Sequence, residues 1–448
     1  MTEKLVVIGG VAAGLSAASA AKRLKKDRMN AVVFEKSGYI SYGACSEPYF
    51  ISGLVPEPED LIEVTPEEFE QKRSIPIRRL HEVVDIDYKN GYVTVDDLIG
   101  HRSFKEPFDF LMISTGALGK GLGVEGEQLR GVHTLRTVED AIAIRQSTLN
   151  SEDVVICGGG YIGLEMAEAF VAMGKRVTIL KKTSQMLLNF DPDMSALVDE
   201  EVKSKGVTIT TGIDILSIEG SERVERVATN AGKVKAETVL IAKGALPNVS
   251  LAKGIGVEIG STGAIAVNKR QETNLPHVYA GGDCAEAYHI ISRKPAYIPL
   301  GTTANKAGRV AGENIGGLHT EFPGIVGTAV SKIFDLEVAR TGLSTKEANL
   351  YGFDVYANTV RHRSRSKHYP GGYSITVHLI TEKGTGKLLG AQMIGREGVA
   401  HRIDVLAAAL QAGMTVDDVY HLDLGYAPPF APAWDPILIA ANTARKAS

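Results

Sequence analysis

Short apolar runs alternate with stretches of helical periodicity from Leu5 to Phe322. Leu5 to Ile8, Ala31 to Phe34, Val154 to Ile156 and Val177 to Leu180 hold apolar residues at largely consecutive positions. Such runs read as strands buried on both faces. Helix-forming segments separate them, so the strands must run parallel with helices covering the sheet faces. From Pro323 the texture changes. Strands at Thr376 to Ile380 and Leu388 to Ile394 precede a helix from Ala400 to Ala412, without a glycine-rich turn between them. The pattern predicts an α/β chain with two parallel-sheet units and a third domain of α+β type.

Glycine refines this division. The chain has 48 glycines, and they cluster where strands give way to helices. Two turns share one design. Leu5 to Ile8 leads into Gly9-Gly10-Val11-Ala12-Ala13-Gly14, and Val154 to Ile156 leads into Gly158-Gly159-Gly160-Tyr161-Ile162-Gly163. In G-x-G-x-x-G the first glycine makes the tight turn and the second lets a pyrophosphate reach the backbone. The third lets helix and strand pack closely, and the helix N-terminus faces the phosphates. The second turn fits fully, with Ala167 keeping the packing close. The first has Val11 at the middle glycine, but Glu35 ends the next strand, where a carboxylate accepts from a ribose hydroxyl. Two such units predict two dinucleotides. We expect a first dinucleotide-binding domain from 1–116 and 247–322, a second at 117–246, and the third domain at 323–448.

Composition narrows the function classes. Lys plus Arg total 49 against 53 Asp plus Glu, a net charge of −4 that gives no reason to expect nucleic acid or an anionic membrane as partner. The chain enters its first strand directly after Met1-Thr2-Glu3-Lys4, and no apolar run is long enough to span a bilayer. Its 3 cysteines, Cys45, Cys157 and Cys284, are too few for a disulfide framework and form no Cys-x-x-Cys pair. A cytoplasmic protein without a metal site is expected.

Two further segments separate flavin enzymes from ordinary dehydrogenases. Ile113-Ser114-Thr115-Gly116-Ala117 reads as the crossing between nucleotide domains. Val278-Tyr279-Ala280-Gly281-Gly282-Asp283 places an acid before a helical stretch from Ala304 to Gly312. In this order the segments resemble the two-dinucleotide-binding-domain flavoproteins of the disulfide reductase superfamily, over essentially the whole chain. The resemblance implies FAD at Gly9, Gly10, Val11, Ala12, Gly14, Glu35, Lys36, Thr115, Gly116, Gly282, Asp283 and Thr303. It implies NADPH or NADH at Gly158, Gly160, Tyr161, Ile162, Gly163, Glu165, Lys181, Lys182 and Gly244. Tyr161 would gate the nicotinamide, with Glu165 beside it, and the third domain would form a homodimer.

The disulfide reductases proper carry a cysteine pair after the first unit. Here Ser41-Tyr42-Gly43-Ala44-Cys45-Ser46-Glu47-Pro48-Tyr49 has one cysteine. That is similar to the branch of coenzyme A disulfide reductases, NADH oxidases and peroxidases, and persulfide or polysulfide reductases. In that branch the thiolate is the nucleophile. Ala12 stands where peroxidases and water-forming oxidases carry a histidine. Tyr426, in Leu424-Gly425-Tyr426-Ala427-Pro428-Pro429-Phe430, and Tyr369 resemble active-site tyrosines of the coenzyme A enzymes, reaching Cys45 of the other subunit. Coenzyme A is accordingly a candidate ligand. Lys22, Arg23, Lys25 and Lys26 either meet its phosphates or complement a helix C-terminus. The family continues Cys-Gly-aliphatic-Pro-Tyr, so Glu47 is a departure that alters the substrate or raises the thiol pKa. The strand Val177 to Leu180 ends at Lys181-Lys182, where NAD enzymes place an acid. Lysine suits a 2′-phosphate, which favours NADPH.

Overall fold

The computed structural model describes residues 2–446. Three five-stranded sheets organise it. The first runs in the order Val278–Ala280, Phe110–Ile113, Glu3–Ile8, Met29–Glu35, Ile77–Arg79, all parallel. Its Leu5, Val7, Val33 and Met112 are wholly buried, as the consecutive apolar positions require. The helices Ala12–Lys25 and Gly301–Ile315 cross on one face with their backbones nearly touching. A Cβ on Gly308 would lie 2.1 Å from the Ala13 carbonyl oxygen, and one on Gly312 would lie 2.2 Å from that of Ala17.

The second sheet repeats the plan: Thr208–Thr210, Arg176–Leu180, Asp153–Cys157, Thr238–Ile241, Val132–His133, again parallel. A short antiparallel ribbon joins the two units. Ala117–Gly119, leaving the first sheet, pairs with Ala245–Pro247, which returns to it. The second unit is thus inserted into the first.

The third sheet is antiparallel, ordered Ala329–Ile333, Leu336–Gly342, Leu388–Gly395, Ser374–Glu382, Val355–Arg363. The helix Val399–Ala412 buries Val399, Ile403, Leu406 and Leu410 in its core. Among the described residues no helix is long and apolar enough to cross a membrane.

Candidate active site

Each glycine turn puts backbone where a side chain could not go. Gly9 has φ of +107°, and a Cβ there would sit 2.2 Å from the Ser114 carbonyl oxygen; Gly158, at φ of +132°, faces Ala242 in the same way at 2.3 Å. The helices that follow start at Val11 and Gly160 without any side-chain cap. Elsewhere the chain caps with care: Thr137, Ser344 and Thr415 each build a capping box. The free N–H groups at the two glycine turns are therefore available to phosphate. A Cβ on Gly160, Gly116 or Gly244 would meet nothing within 4 Å, so space stands open on the side where a nucleotide would lie. These features fit two bound dinucleotides.

Glu35 is buried, and its two oxygens accept from the Gly10 and Ser37 amides at 2.7 and 2.8 Å. It stiffens the first glycine turn and keeps further lone pairs for a ribose. Lys36 next to it is exposed. Thr115 donates to the Asn248 carbonyl at 2.6 Å, and the Asn248 amide donates to the Gly116 carbonyl at 3.0 Å, so the crossing is tied to the returning chain. Asp283 accepts from Arg136 at 2.8 Å. Gly282, Asp283 and Thr303 line one small cavity with Gln271 and Leu300.

Cys45 lies in the turn Ala44–Ser46 that leads into the helix Glu47–Ser52. It is exposed, whereas Cys157 and Cys284 are buried among the glycine motifs. Although one side of the Cys45 thiol meets solvent, the protein packed around the rest dehydrates it and raises its pKa. Glu165, Glu47 and Asp283 raise it further, and Arg136 opposes them. The rise in thiol pKa that the sequence suggested for Glu47 is thus present, behind the larger contributions of burial and Glu165.

On the second unit, the Tyr161 ring meets Phe190 edge-on at 6.4 Å, and its hydroxyl accepts from Asn189 at 3.3 Å. One turn along, Glu165 accepts from the Ser331 hydroxyl at 2.7 Å, and burial raises its pKa. Ile162 packs partly buried against the core. The neighbouring lysines differ sharply. Lys182 is exposed and paired with Asp214 at 2.8 Å. Lys181 is buried, and dehydration lowers its pKa to about 8 while Asp199 opposes the shift.

Tyr369 and Tyr426 are exposed on the third domain. Their loops are stitched together, with the Ser366 amide donating to the Pro428 carbonyl at 3.3 Å. Neither is among the groups acting on Cys45 of the same chain. At the end of the first helix, Lys22 donates to the Met29 carbonyl and Lys25 pairs with Glu3, so these two serve local structure.

Comparison with known proteins agrees with this layout. Residues 3–308 match the model of the pyridine nucleotide-disulphide oxidoreductases, and residues 328–436 match that family's dimerisation domain. The chain belongs to the pyridine nucleotide-disulphide oxidoreductase family. It is 43% identical over 445 residues to the NAD(P)H coenzyme A polysulfide/persulfide reductase of Pyrococcus horikoshii, covering 99% of this chain and 98% of the relative. It is 30% identical to the coenzyme A disulfide reductase of Staphylococcus haemolyticus, covering 99% of each. The solved NAD-dependent persulfide reductase from A. fulgidus superposes with a TM-score of 0.95 at 37% identity, covering 99% of this chain and 83% of that one.

A pyridine nucleotide-disulphide oxidoreductase needs its two nucleotide units and its thiol to converge, and one residue linking them escaped the motifs. Arg136 reaches Asp283 with its side chain and Asp140 with its backbone amide at 2.9 Å. Its only signal in the sequence is its place just before the capping box Thr137-x-x-Asp140.

Proposed function

We propose that the chain is an FAD-dependent NAD(P)H oxidoreductase that reduces coenzyme A disulfide, a persulfide or a polysulfide at Cys45. The observation that carries this reading is the setting of Cys45. It is the exposed member of the three free cysteines, and groups from both nucleotide units, Asp283 and Glu165, act on its thiol. A thiol between a flavin site and a nicotinamide site suits reduction of a sulfur–sulfur bond.

The residues divide the work as follows. The first glycine turn, Glu35, Thr115, Gly116, Asp283 and Thr303 would hold FAD. The second turn, with Tyr161, Glu165 and Lys181, would hold the nicotinamide nucleotide. FAD, when bound, supplies the passage of two electrons from NAD(P)H to sulfur. The Cys45 thiolate attacks one sulfur of the substrate, forming a mixed disulfide and releasing the other sulfur as a thiolate that takes a proton. Reduction of the mixed disulfide by two electrons and a second proton releases the second thiol. The sum is one disulfide, one NAD(P)H and one proton giving two thiols and NAD(P)⁺.

Tyr426 and Tyr369 are assigned to the site of the partner subunit in a cytoplasmic homodimer. Their exposure, beside exposed Phe430 and Trp434 on the family's dimerisation domain, supports this. The ribbon pairing Ala117–Gly119 with Ala245–Pro247 supports the domain limits at 116/117 and 246/247.

The test is turnover with coenzyme A disulfide, polysulfide and oxygen under steady NADPH or NADH. A sulfur substrate should exceed oxygen, and Cys45→Ser should lose sulfur turnover while its flavin remains reducible. Faster turnover with oxygen would make the chain an oxidase, and full disulfide turnover in Cys45→Ser would overturn the mechanism.

A further inference from the structure

Glu47 is 3% exposed, its Oε1 has no hydrogen-bond partner, and it lies two residues from the exposed Cys45. The six-residue helix that carries it places Phe50 and Ile51 in the core shared with Val138 and Ala141 of the helix Val138–Leu149. This packing turns Glu47 toward the start of that helix. There Asp140 and Glu139 disfavour its charge and Arg136 favours it, but Arg136 is already committed to Asp283. On the other side the Tyr42 phenol feels Glu47 as well. A carboxylate so enclosed by acids and apolar side chains keeps its proton, and burial moves its pKa up to about 8. The thiol in turn faces Glu165, Asp283, Arg136 and Glu47.

We propose that Glu47 is a positioning residue of the thiol site, a walled-off carboxyl whose proton is coupled to that of Cys45, so that ionising either one holds the proton on the other. The first proton to leave belongs to the pair. Neutral Glu47 permits the Cys45 thiolate, which is the attacking form. Ionised Glu47 withdraws it, and sets an alkaline limit on thiol reactivity. The proposal rests on the reading of Cys45 as the reacting thiol.

Alkylation of Cys45 by iodoacetamide tests it in the FAD-loaded enzyme, after reduction by dithiothreitol. The rate is followed against pH by mass spectrometry, and Cys157 and Cys284 are buried out of reach. Wild type and Glu47→Gln should coincide below about pH 7, and near pH 9 the wild type should lag by about fivefold, over a broader curve than one proton gives. Asp140→Asn, which keeps an oxygen at that cap, should start the lag at lower pH, and it decides the matter if Glu47→Gln does not retain FAD. Superimposed curves for wild type and variant overturn the proposal and leave Cys45 as the reacting thiol. Disulfide turnover surviving in Cys45→Ser would instead overturn the thiol reading, while the alkylation curves would still report the coupling.

Discussion

Arg136 donates to the Asp283 carboxylate at 2.8 Å, and both side chains are about three-quarters withdrawn from solvent. The arginine precedes the helix Val138–Leu149, and the aspartate follows the strand Val278–Ala280. The pair therefore fastens the start of the second unit to the returning half of the first. Removing the guanidinium strands a shielded carboxylate, at a cost of about 1–3 kcal/mol. Arg136→Met should bind FAD roughly tenfold more weakly or worse. Flavin fluorescence released on dilution measures this. Arg136→Lys should recover only part of the loss, because one ammonium cannot repeat the guanidinium geometry.

Tyr426 is the proposed proton donor to the thiolate that departs from Cys45 of the partner subunit, so Tyr426→Phe should bind FAD normally and slow disulfide turnover by about 100-fold or more, the range of a lost general acid. Flavin reduction by NADPH, followed by stopped flow, should be unchanged. Equal disulfide turnover in the variant would move the donor role to Tyr369 or water.

Lys181 should bind the 2′-phosphate of NADPH only while protonated. Its pKa lies at about 8, so KM for NADPH should rise as pH passes upward through that value, while KM for NADH stays level. Bound phosphate favours the ammonium, which displaces the rise upward without changing its direction. Lys181→Glu should cut kcat/KM for NADPH at least about tenfold and spare NADH. A wild-type enzyme strongly biased to NADH would remove this role.

Gly312→Val tests the crossing of Ala12–Lys25 over Gly301–Ile315. Even the first carbon of the new side chain would fall 2.2 Å from the Ala17 carbonyl oxygen, so the helices must part. Overpacking of this kind costs about 1–3 kcal/mol or more. Thermal unfolding should begin several degrees lower, about what such a loss implies, and FAD should dissociate ahead of unfolding, because both helices start at its site. Gly254→Val, where a Cβ would meet nothing within 4 Å, is the control.

The two parallel sheets were legible because their central strands are buried on both faces, which forces consecutive apolar residues such as Leu5 to Ile8, whereas the edge strands Ile77–Arg79 and Thr208–Thr210 carry no such run. The glycine turns were legible because Gly9 and Gly158 need a backbone conformation that other residues avoid. Val355–Arg363 was not, since this edge strand shows neither a continuous apolar run nor a regular alternation: Asn358 and Thr359 are adjacent and Arg361, His362 and Arg363 end it. Arg136 stayed hidden because an arginine before a helix cap resembles any surface cation; only the return of the chain near Asp283 supplies its partner. Glu47 was visible as a departure from a family pattern, yet its burial was not. A six-residue helix is too short for periodicity to say which way a side chain faces. The contrast between Lys181 and Lys182 was equally invisible, since adjacent residues at a strand end point to opposite sides.

The ribbon of Ala117–Gly119 and Ala245–Pro247 sets an order of assembly during synthesis. The inner unit is one unbroken stretch and can close its sheet as soon as Thr238–Ile241 has emerged from the ribosome. The outer unit cannot. Its edge strand Val278–Ala280 and its covering helix Gly301–Ile315 are made last, so the half begun first is finished second. Until then the apolar edge of Phe110–Ile113 has no neighbour on that side, and the nascent chain depends on the prompt closure of the inserted unit to bring its two halves together.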